Sequence, residues 1–210
     1  MNRMTTQLMD YMEAKAILDR YGLRSIDSKY VNSAAEAVKF AANGRIVLKV
    51  LSGKALHKSK SGLVKLDLST EGEITGAFDY LTKKAADLKP CKIIAQRMSP
   101  TGVEIIIGGK TDPQFGKTIL IGLGGIYVEA FRDFALRLVP ITRYDARDML
   151  AQLKSSKIIT YAGERQKMLE SLLMSVSRML EEHAEIAELD LNPVIVTKTG
   201  YEIVDIRVLR

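Results

Sequence analysis

The sequence predicts an α/β protein of two lobes. Three observations carry that reading. Amphipathic helical stripes alternate with short β-branched strands up to about residue 97. From Gly102 onward the texture changes to isoleucine-rich strands bounded by glycine pairs, and the chain closes on a β-branched hairpin.

The elements follow in order. Thr6 to Tyr21 places Leu8, Met9, Met12, Ala16 and Ile17 near helical spacing, with Gly22 where a helix C-cap belongs. Ser33 and Glu36 form a capping-box pattern ahead of a helix over Ala34 to Ala42, and Gly44 precedes a strand from Ile46 to Val50. Leu63 to Leu68 reads as a second strand. Thr70 to Asp87 is a helix capped by Thr70 and Glu73, and Lys92 to Gln96 is a strand after Pro90. In the second lobe, Val103 to Ile107 and Thr118 to Ile121 read as central strands, and Phe134 to Val139 as another. Thr142 to Leu153 and Gly163 to His183 are helices, the second carrying Met168, Leu172, Val176 and Met179 on one side. Val194 to Thr197 and Glu202 to Val208, bounded by Pro193 and Gly200, form the closing hairpin. Two lobes joined near residues 97 to 102 leave a cleft between them, a common place for a ligand.

Composition narrows the function. With 47 % hydrophobic and 27 % charged residues the chain has the ordinary globular mixture, which argues against disorder. One cysteine, Cys91, allows no intrachain disulfide, and we expect a reducing cytoplasm. Residues 1–15 mix charges with apolar positions, unlike a signal peptide, and no apolar run approaches the roughly 20 residues a membrane span needs. A net charge of +6 invites nucleic acid, but most cations are dispersed among acids. The one cluster, Lys54, Lys58, Lys60 and Lys65, suits a polyphosphate as well as DNA. The absence of Trp and of interleaved aromatics argues against base stacking, so no nucleic-acid and no membrane partner is expected.

Several residues could carry chemistry. Lys49 lies inside an apolar strand, where it either snorkels to water at an edge or meets an anion such as a phosphate. Glu104, ahead of three isoleucines, either marks an exposed strand face or bonds a ribose or a cation. His183 ends a helix, where the negative dipole end is explanation enough. His57 lies in a polar stretch with no helix end to explain it, and imidazole is a competent nucleophile toward phosphorus. Gly122, Gly124 and Gly125 would let backbone N–H groups approach a phosphate, although tight turns need glycine too. Asn192 and Asp205, on paired strands, could face one small site; magnesium needs only one or two protein oxygens when phosphates supply others.

Ordered blocks run nearly the length of the chain: Tyr11-Met-Glu13-Ala-Lys15, Val47-Leu-Lys49-Val50, Leu56-His57-Lys58-Ser59 and Gln96-Arg97-Met98-Ser-Pro100-Thr-Gly102-Val-Glu104. Asp112-Pro-Gln-Phe-Gly116, Gly122-Leu-Gly-Gly-Ile126-Tyr-Val-Glu129, Arg137-Leu138 and Glu188-Leu-Asp190-Leu-Asn192-Pro193 complete the series. Taken together, these blocks resemble the ATP-grasp β subunit of ADP-forming acetyl-CoA synthetases, relatives of succinyl-CoA synthetase.

The resemblance implies one two-lobed ATP-grasp domain over 1–210. Its smaller lobe would span about 23–97 and its larger about 98–210, with helix 6–21 packing on the larger. It further implies Mg²⁺ with ATP or ADP as cofactors. Lys49, Gln96, Arg97, Met98, Glu104, Gly124 and Gly125 would serve the nucleotide, Lys49 at phosphates and Glu104 on the ribose side. Asn192 and Asp205 would hold the metal. His57 would relay a phosphoryl group to ADP, and Asp190 would orient the phosphohistidine that swings in from a partner. That partner is a CoA-binding α subunit in an α2β2 assembly, expected as a separate chain because this one ends just after the hairpin. It would handle the acyl-CoA and carboxylate of an acid-thiol ligase.

Three departures from the family pattern stand out. After His-Lys-Ser the family usually shows an acid and then paired glycines, where this chain has Lys60 and Leu63; its hinge is usually Gln-Glu, here Gln96-Arg97. Loss of that carboxylate is expected to weaken adenine or ribose recognition. The stretch between Gly22 and Gly44 is shortened. These departures motivate an alternative, a nucleotide-binding regulatory or assembly module of the same fold without turnover.

Overall fold

The computed structural model describes residues 7–42, 44–53, 62–125, 133–161 and 163–210. The backbone divides into two compact units, Ile26–Ser99 and Met1–Ser25 with Pro100–Arg210.

The Ile26–Ser99 unit is a four-stranded antiparallel sheet in the order β1-β4-β2-β3 with two helices. Its strands are β1 (Ser28–Tyr30), β2 (Ile46–Ser52), β3 (Val64–Leu68) and β4 (Cys91–Arg97). Helix α2 (Ala34–Ala41) starts where Ser33 accepts the N–H of Glu36, while the Glu36 carboxylate accepts from Asn32 rather than closing a reciprocal box on Ser33. Helix α3 (Glu71–Lys84) has the full reciprocal box between Thr70 and Glu73, as the spacing predicts. The helices cover one face of the sheet, where Leu48, Val50 and Ala95 meet Ala37, Ile74 and Leu81 in one buried cluster. Burying those side chains supplies most of the stability of such a layer. Helix α3 ends earlier than the predicted Asp87, and Ala86–Leu88 forms a single 3₁₀ turn.

The second unit holds a six-stranded antiparallel sheet. Its order is β10-β8-β5-β6-β7, with β9 also paired to β8. The strands are β5 (Val103–Asp112), β6 (Gly116–Leu123), β7 (Phe134–Leu138), β8 (Glu188–Val196), β9 (Tyr201–Ile203) and β10 (Ile206–Leu209). Helix α1 (Tyr11–Arg20) begins later than the predicted Thr6. Asp10 caps it by accepting the N–H groups of Met12 and Glu13, and Leu8 pairs with Leu209 as extended chain instead. Helix α4 (Arg143–Gln152) follows a capping box of Thr142 and Asp145. The short α5 (Ser156–Thr160) has no signal in the periodicity; Asp133 accepts the N–H groups of Lys154 and Ser155 just ahead of it. Helix α6 (Gln166–Glu182) buries Leu169, Leu172, Leu173, Val176, Met179 and Leu180.

Two glycines predicted to end a strand lie inside one. β5 runs through Gly108 and Gly109, and a Cβ on Gly109 would stand 2.6 Å from Leu180 of α6, so the missing side chain makes room for the helix. The C-terminus of α6 is closed by Lys117, whose Nζ donates to the carbonyls of Leu180 (2.6 Å) and His183. His183 itself sits at the C-cap with Nδ1 2.7 Å from Glu185 Oε1 and its ring edge-on to Tyr21. A cation does neutralise this helix end, but it comes from β6.

The closing segment departs most from expectation. Pro193 does not bound a strand; β8 begins at Glu188 and runs through it. Its first half pairs with β10 and its second half with β9, while β5 pairs along both. Between Ile105↔Val194 and Ile107↔Leu191, β8 spends three residue steps against two in β5, so Asn192 and Pro193 lie in a bulge. A bulge is one of the few places inside a sheet that tolerates proline, which has no N–H to give the ladder. The Asn192–Pro193 peptide is cis.

Candidate functional site

In the Ile26–Ser99 unit, Lys49 stands at the middle of β2, opposite Ile94 of β4 and Val64 of β3. The pleat sends alternate side chains to opposite faces. Leu48 and Val50 go under the helices, so Val47 and Lys49 take the other face, joined there by Ile94 and Gln96. Lys49 is 8 % exposed and Gln96 1 %, and both are partnered. The edge-strand alternative for Lys49 is therefore set aside, because β2 is an inner strand and the ammonium is buried. Met98 is partly exposed and donates its N–H to Arg45 O at 3.1 Å.

Arg97 goes the other way. It follows Ala95 on the helix-covered face, its guanidinium lies 4.5 Å over the Phe40 ring of α2, and its Nε is 3.7 Å from Asp27 Oδ2. This side chain is thus turned from the Lys49 face. Leu63 is also a packing residue, buried in the core cluster with its carbonyl accepting the N–H of Val50. His57, Lys54, Lys58 and Lys60 lie outside the described residues. Lys65 of the same basic cluster sits 4.0 Å over the Tyr80 ring.

In the second unit, Glu104 is brought together with Gly124 and Gly125. The Gly124 N–H donates to the Glu104 carbonyl at 2.8 Å. A Cβ on Gly124 would meet the Glu104 carbonyl carbon at 2.9 Å, and one on Gly125, at φ +70°, would meet Glu104 Oε2 at 2.8 Å. The glycines are needed, but for closeness to Glu104. The Gly124 amide is consumed in that contact, leaving it no proton for a phosphate.

Asp190, Asn192 and Asp205 also converge. Asp190 in β8 faces Arg207 of β10 and Gly108 of β5. Asn192 donates its N–H to Asp205 O at 3.3 Å, and Val204 donates to Pro193 O at 3.0 Å, which pins the bulge to the segment linking β9 and β10. Burial pushes the Asp190 carboxyl above its ordinary range; the carboxylates of Asp205 and Glu188 push the same way, and Arg207 opposes them. Its Oδ1 is buried with no hydrogen-bond partner among the described residues. Such an oxygen can accept a proton or a donor brought from outside. Arg207 has no signal of its own in the sequence; it is brought to Asp190 by the pairing of β10 with β8.

Among the described residues no group of three or more His, Cys, Asp or Glu is placed to enclose a metal. The donors present are hard oxygens of one carboxylate and one amide. That set fits magnesium completed by phosphate and water, and fits zinc poorly.

A family profile for the ATP-grasp domain matches residues 2–209. The chain belongs to the ATP-grasp family. Its two antiparallel sheets are those of that fold. It is 36 % identical over 207 residues to the acetate–CoA ligase (ADP-forming) I subunit beta of Pyrococcus furiosus, covering 94 % of this chain and 89 % of that one. It is also 36 % identical to the 4-hydroxybutyrate–CoA ligase (ADP-forming) of Nitrosopumilus maritimus, over 93 % of this chain but 30 % of that longer protein. Among solved structures, it resembles the dinucleotide forming acetyl-coenzyme A synthetase 1 of Candidatus Korarchaeum cryptofilum. That structure holds coenzyme A and Mg-AMPPCP, its phosphohistidine segment pointing towards the nucleotide binding site. The TM-score is 0.82 at 35 % identity, covering 96 % of this chain and 92 % of that one. This ATP-grasp chain is therefore homologous to the β subunits of NDP-forming acyl-CoA synthetases. No described helix of it is long and apolar enough to cross a membrane.

Proposed function

We propose that this ATP-grasp chain is the nucleotide-handling subunit of an NDP-forming acid–CoA ligase, working with a separate CoA-binding chain in an α2β2 assembly. The net reaction is acyl-CoA + ADP + phosphate to carboxylate + CoA + ATP, reversible in direction. One observation carries the reading: Asp190, half-buried with its Oδ1 buried and unpartnered among the described residues, stands beside Asp205 and Arg207 where Asn192 and Pro193 bulge. An imidazolium or phosphohistidine N–H arriving there would find an acceptor already desolvated. The relative that holds Mg-AMPPCP, with its phosphohistidine segment turned to the nucleotide site, supports this use of the face.

Lys49 neutralises phosphate charge, Gln96 and Met98 with the main chain of Arg97 serve the base and sugar, and Glu104 takes the ribose. Gly125, beside Glu104, keeps its approach to the phosphates; Gly124 holds Glu104 in place. Asn192 and Asp205 hold magnesium, which when bound supplies charge neutralisation at the transferred phosphoryl group. His57 accepts the phosphoryl group and passes it to ADP. The relatives are named for acetate, 4-hydroxybutyrate and trans-feruloyl-CoA, and we assign this chain only a carboxylic acid as substrate class.

The alternative, a module without turnover, is motivated by Lys60, Leu63 and Arg97. Leu63 packs in the core and Arg97 on the helix side of the sheet.

Incubation with γ-labelled ATP, Mg²⁺ and the CoA-binding partner should place acid-labile label on the wild-type chain and none on His57→Ala. Label on neither, from a pair that assembles, would overturn the catalytic reading in favour of the module. Asp205→Ala should weaken Mg-nucleotide binding by at least about tenfold in calorimetry, the loss of one charge-assisted ligand; an unchanged titration would remove the metal assignment.

A further inference from the structure

On the helix side of the small sheet, within the Ile26–Ser99 unit, a groove of about 650 Å³ opens between β1 and α2. That volume lies in the range of small-molecule sites. Lys29, Lys39 and Arg97 line it together with Tyr30 and Phe40. Its two acids are already engaged. Asp27 lies 3.7 Å from Arg97 Nε, and Glu36 accepts the Asn32 N–H at 2.9 Å. The two lysines are not matched: Lys29 and Lys39 pair with no acid among the described residues, and although Arg97 Nε faces Asp27, its Nη1 is buried with no hydrogen-bond partner among those residues. Leaving a buried guanidinium nitrogen unpaired is costly, and an arriving oxyanion relieves the cost by accepting from it. The guanidinium carbon stands 4.5 Å from the centre of the Phe40 ring, a cation–π contact that restrains the side chain at the groove.

We propose that this groove is a second binding site, for a phosphate-bearing small molecule, distinct from the Lys49 face. The distinction is geometric, since Arg97 and Gln96 are neighbours in β4 and must project to opposite faces. Arg97 Nη1 and the two lysine ammonium groups hold the phosphate, while Asp27 and Glu36 limit the charge the groove accepts.

The test uses the full chain labelled with ¹⁵N, titrated with inorganic phosphate, pyrophosphate and AMP, with and without saturating Mg-AMPPCP. The expected result is movement of the Lys29, Lys39 and Arg97 Nε–H signals at about millimolar ligand, unchanged by Mg-AMPPCP, and at least tenfold weaker in K29E/K39E. No movement at about 10 mM, or equal movement in the double variant, would overturn the proposal. Competition by Mg-AMPPCP would also overturn it, by showing that the phosphates occupy the nucleotide site. Stronger binding of AMP than of phosphate would support the site and identify a nucleotide as its ligand; equal binding would support it with the phosphate group alone recognised. Because the signals are residue-specific, the result stands whether or not the nucleotide reading above holds.

Discussion

Asp190 holds its proton more tightly in the fold than in the unfolded chain, because burial and two neighbouring carboxylates outweigh Arg207. The consequence for stability has a definite sign. Below the unfolded carboxylate range, about pH 3.9, the group is protonated in both states and costs nothing. As pH rises from there through the raised folded value, ionisation costs the folded state more, and stability falls. Asp190→Asn should therefore melt higher than wild type at neutral pH and converge with it in acid, while losing phosphoryl transfer with the partner chain. Melting curves taken from pH 3 to 8 would check this, and a lower melting point at neutral pH would contradict it. Gly124 gives the opposite kind of residue effect. Its added Cβ would strike the Glu104 backbone at 2.9 Å, so Gly124→Ala should cost about 1–3 kcal/mol in urea unfolding, because backbone yields less readily than a side-chain tip.

Elements in this chain are held at their ends by side chains the sequence already shows. Glu73 accepts from the backbone of Ser69 and Thr70 and from both hydroxyls, which lowers its carboxyl to about 2. That contribution is present above the unfolded glutamate range and is lost only as pH falls through about 2, so the α3 cap should survive mild acid. Thr70→Ala should destabilise the protein by about 1 kcal/mol, read as a shift in urea midpoint with unchanged slope. The far end of α6 depends on a residue outside the helix. Lys117→Met removes the ammonium that donates to the Leu180 and His183 carbonyls, and should cost about 1–2 kcal/mol and speed amide exchange at Leu180 to His183. β8 is the element whose shape matters most for chemistry. Its bulge sets the direction of Asn192 while β9 and β10 bring Asp205 alongside, so site and sheet irregularity coincide.

At the scale of the whole molecule, the excess of six positive charges belongs to dispersed lysines and arginines, and Lys29, Lys39 and Arg97 of the small unit line a pocket of small-molecule size. A gel shift with DNA or RNA is accordingly expected to show no steeply salt-dependent binding; a retained complex that dissolves with salt would reinstate nucleic acid as a partner. The sequence by itself determined the succession of helices and strands, the caps at Thr70 and Thr142, and the ordered blocks that mark the ATP-grasp family. Those signals are local, or are fixed by residue identity at fixed spacing, so no fold is needed to read them. Tertiary structure decided the rest. Pro193 reads locally as a strand boundary, yet β8 runs through it because three neighbouring strands supply the pairing around the bulge. Arg97 reads as part of a hinge block with Gln96, and only the pleat, with α2 packed on one face, sends the two side chains apart. Gly124 reads as a phosphate loop, and only its approach to Glu104 shows where its amide is used. Each of these depends on contacts between segments far apart in the chain, which a local pattern does not encode.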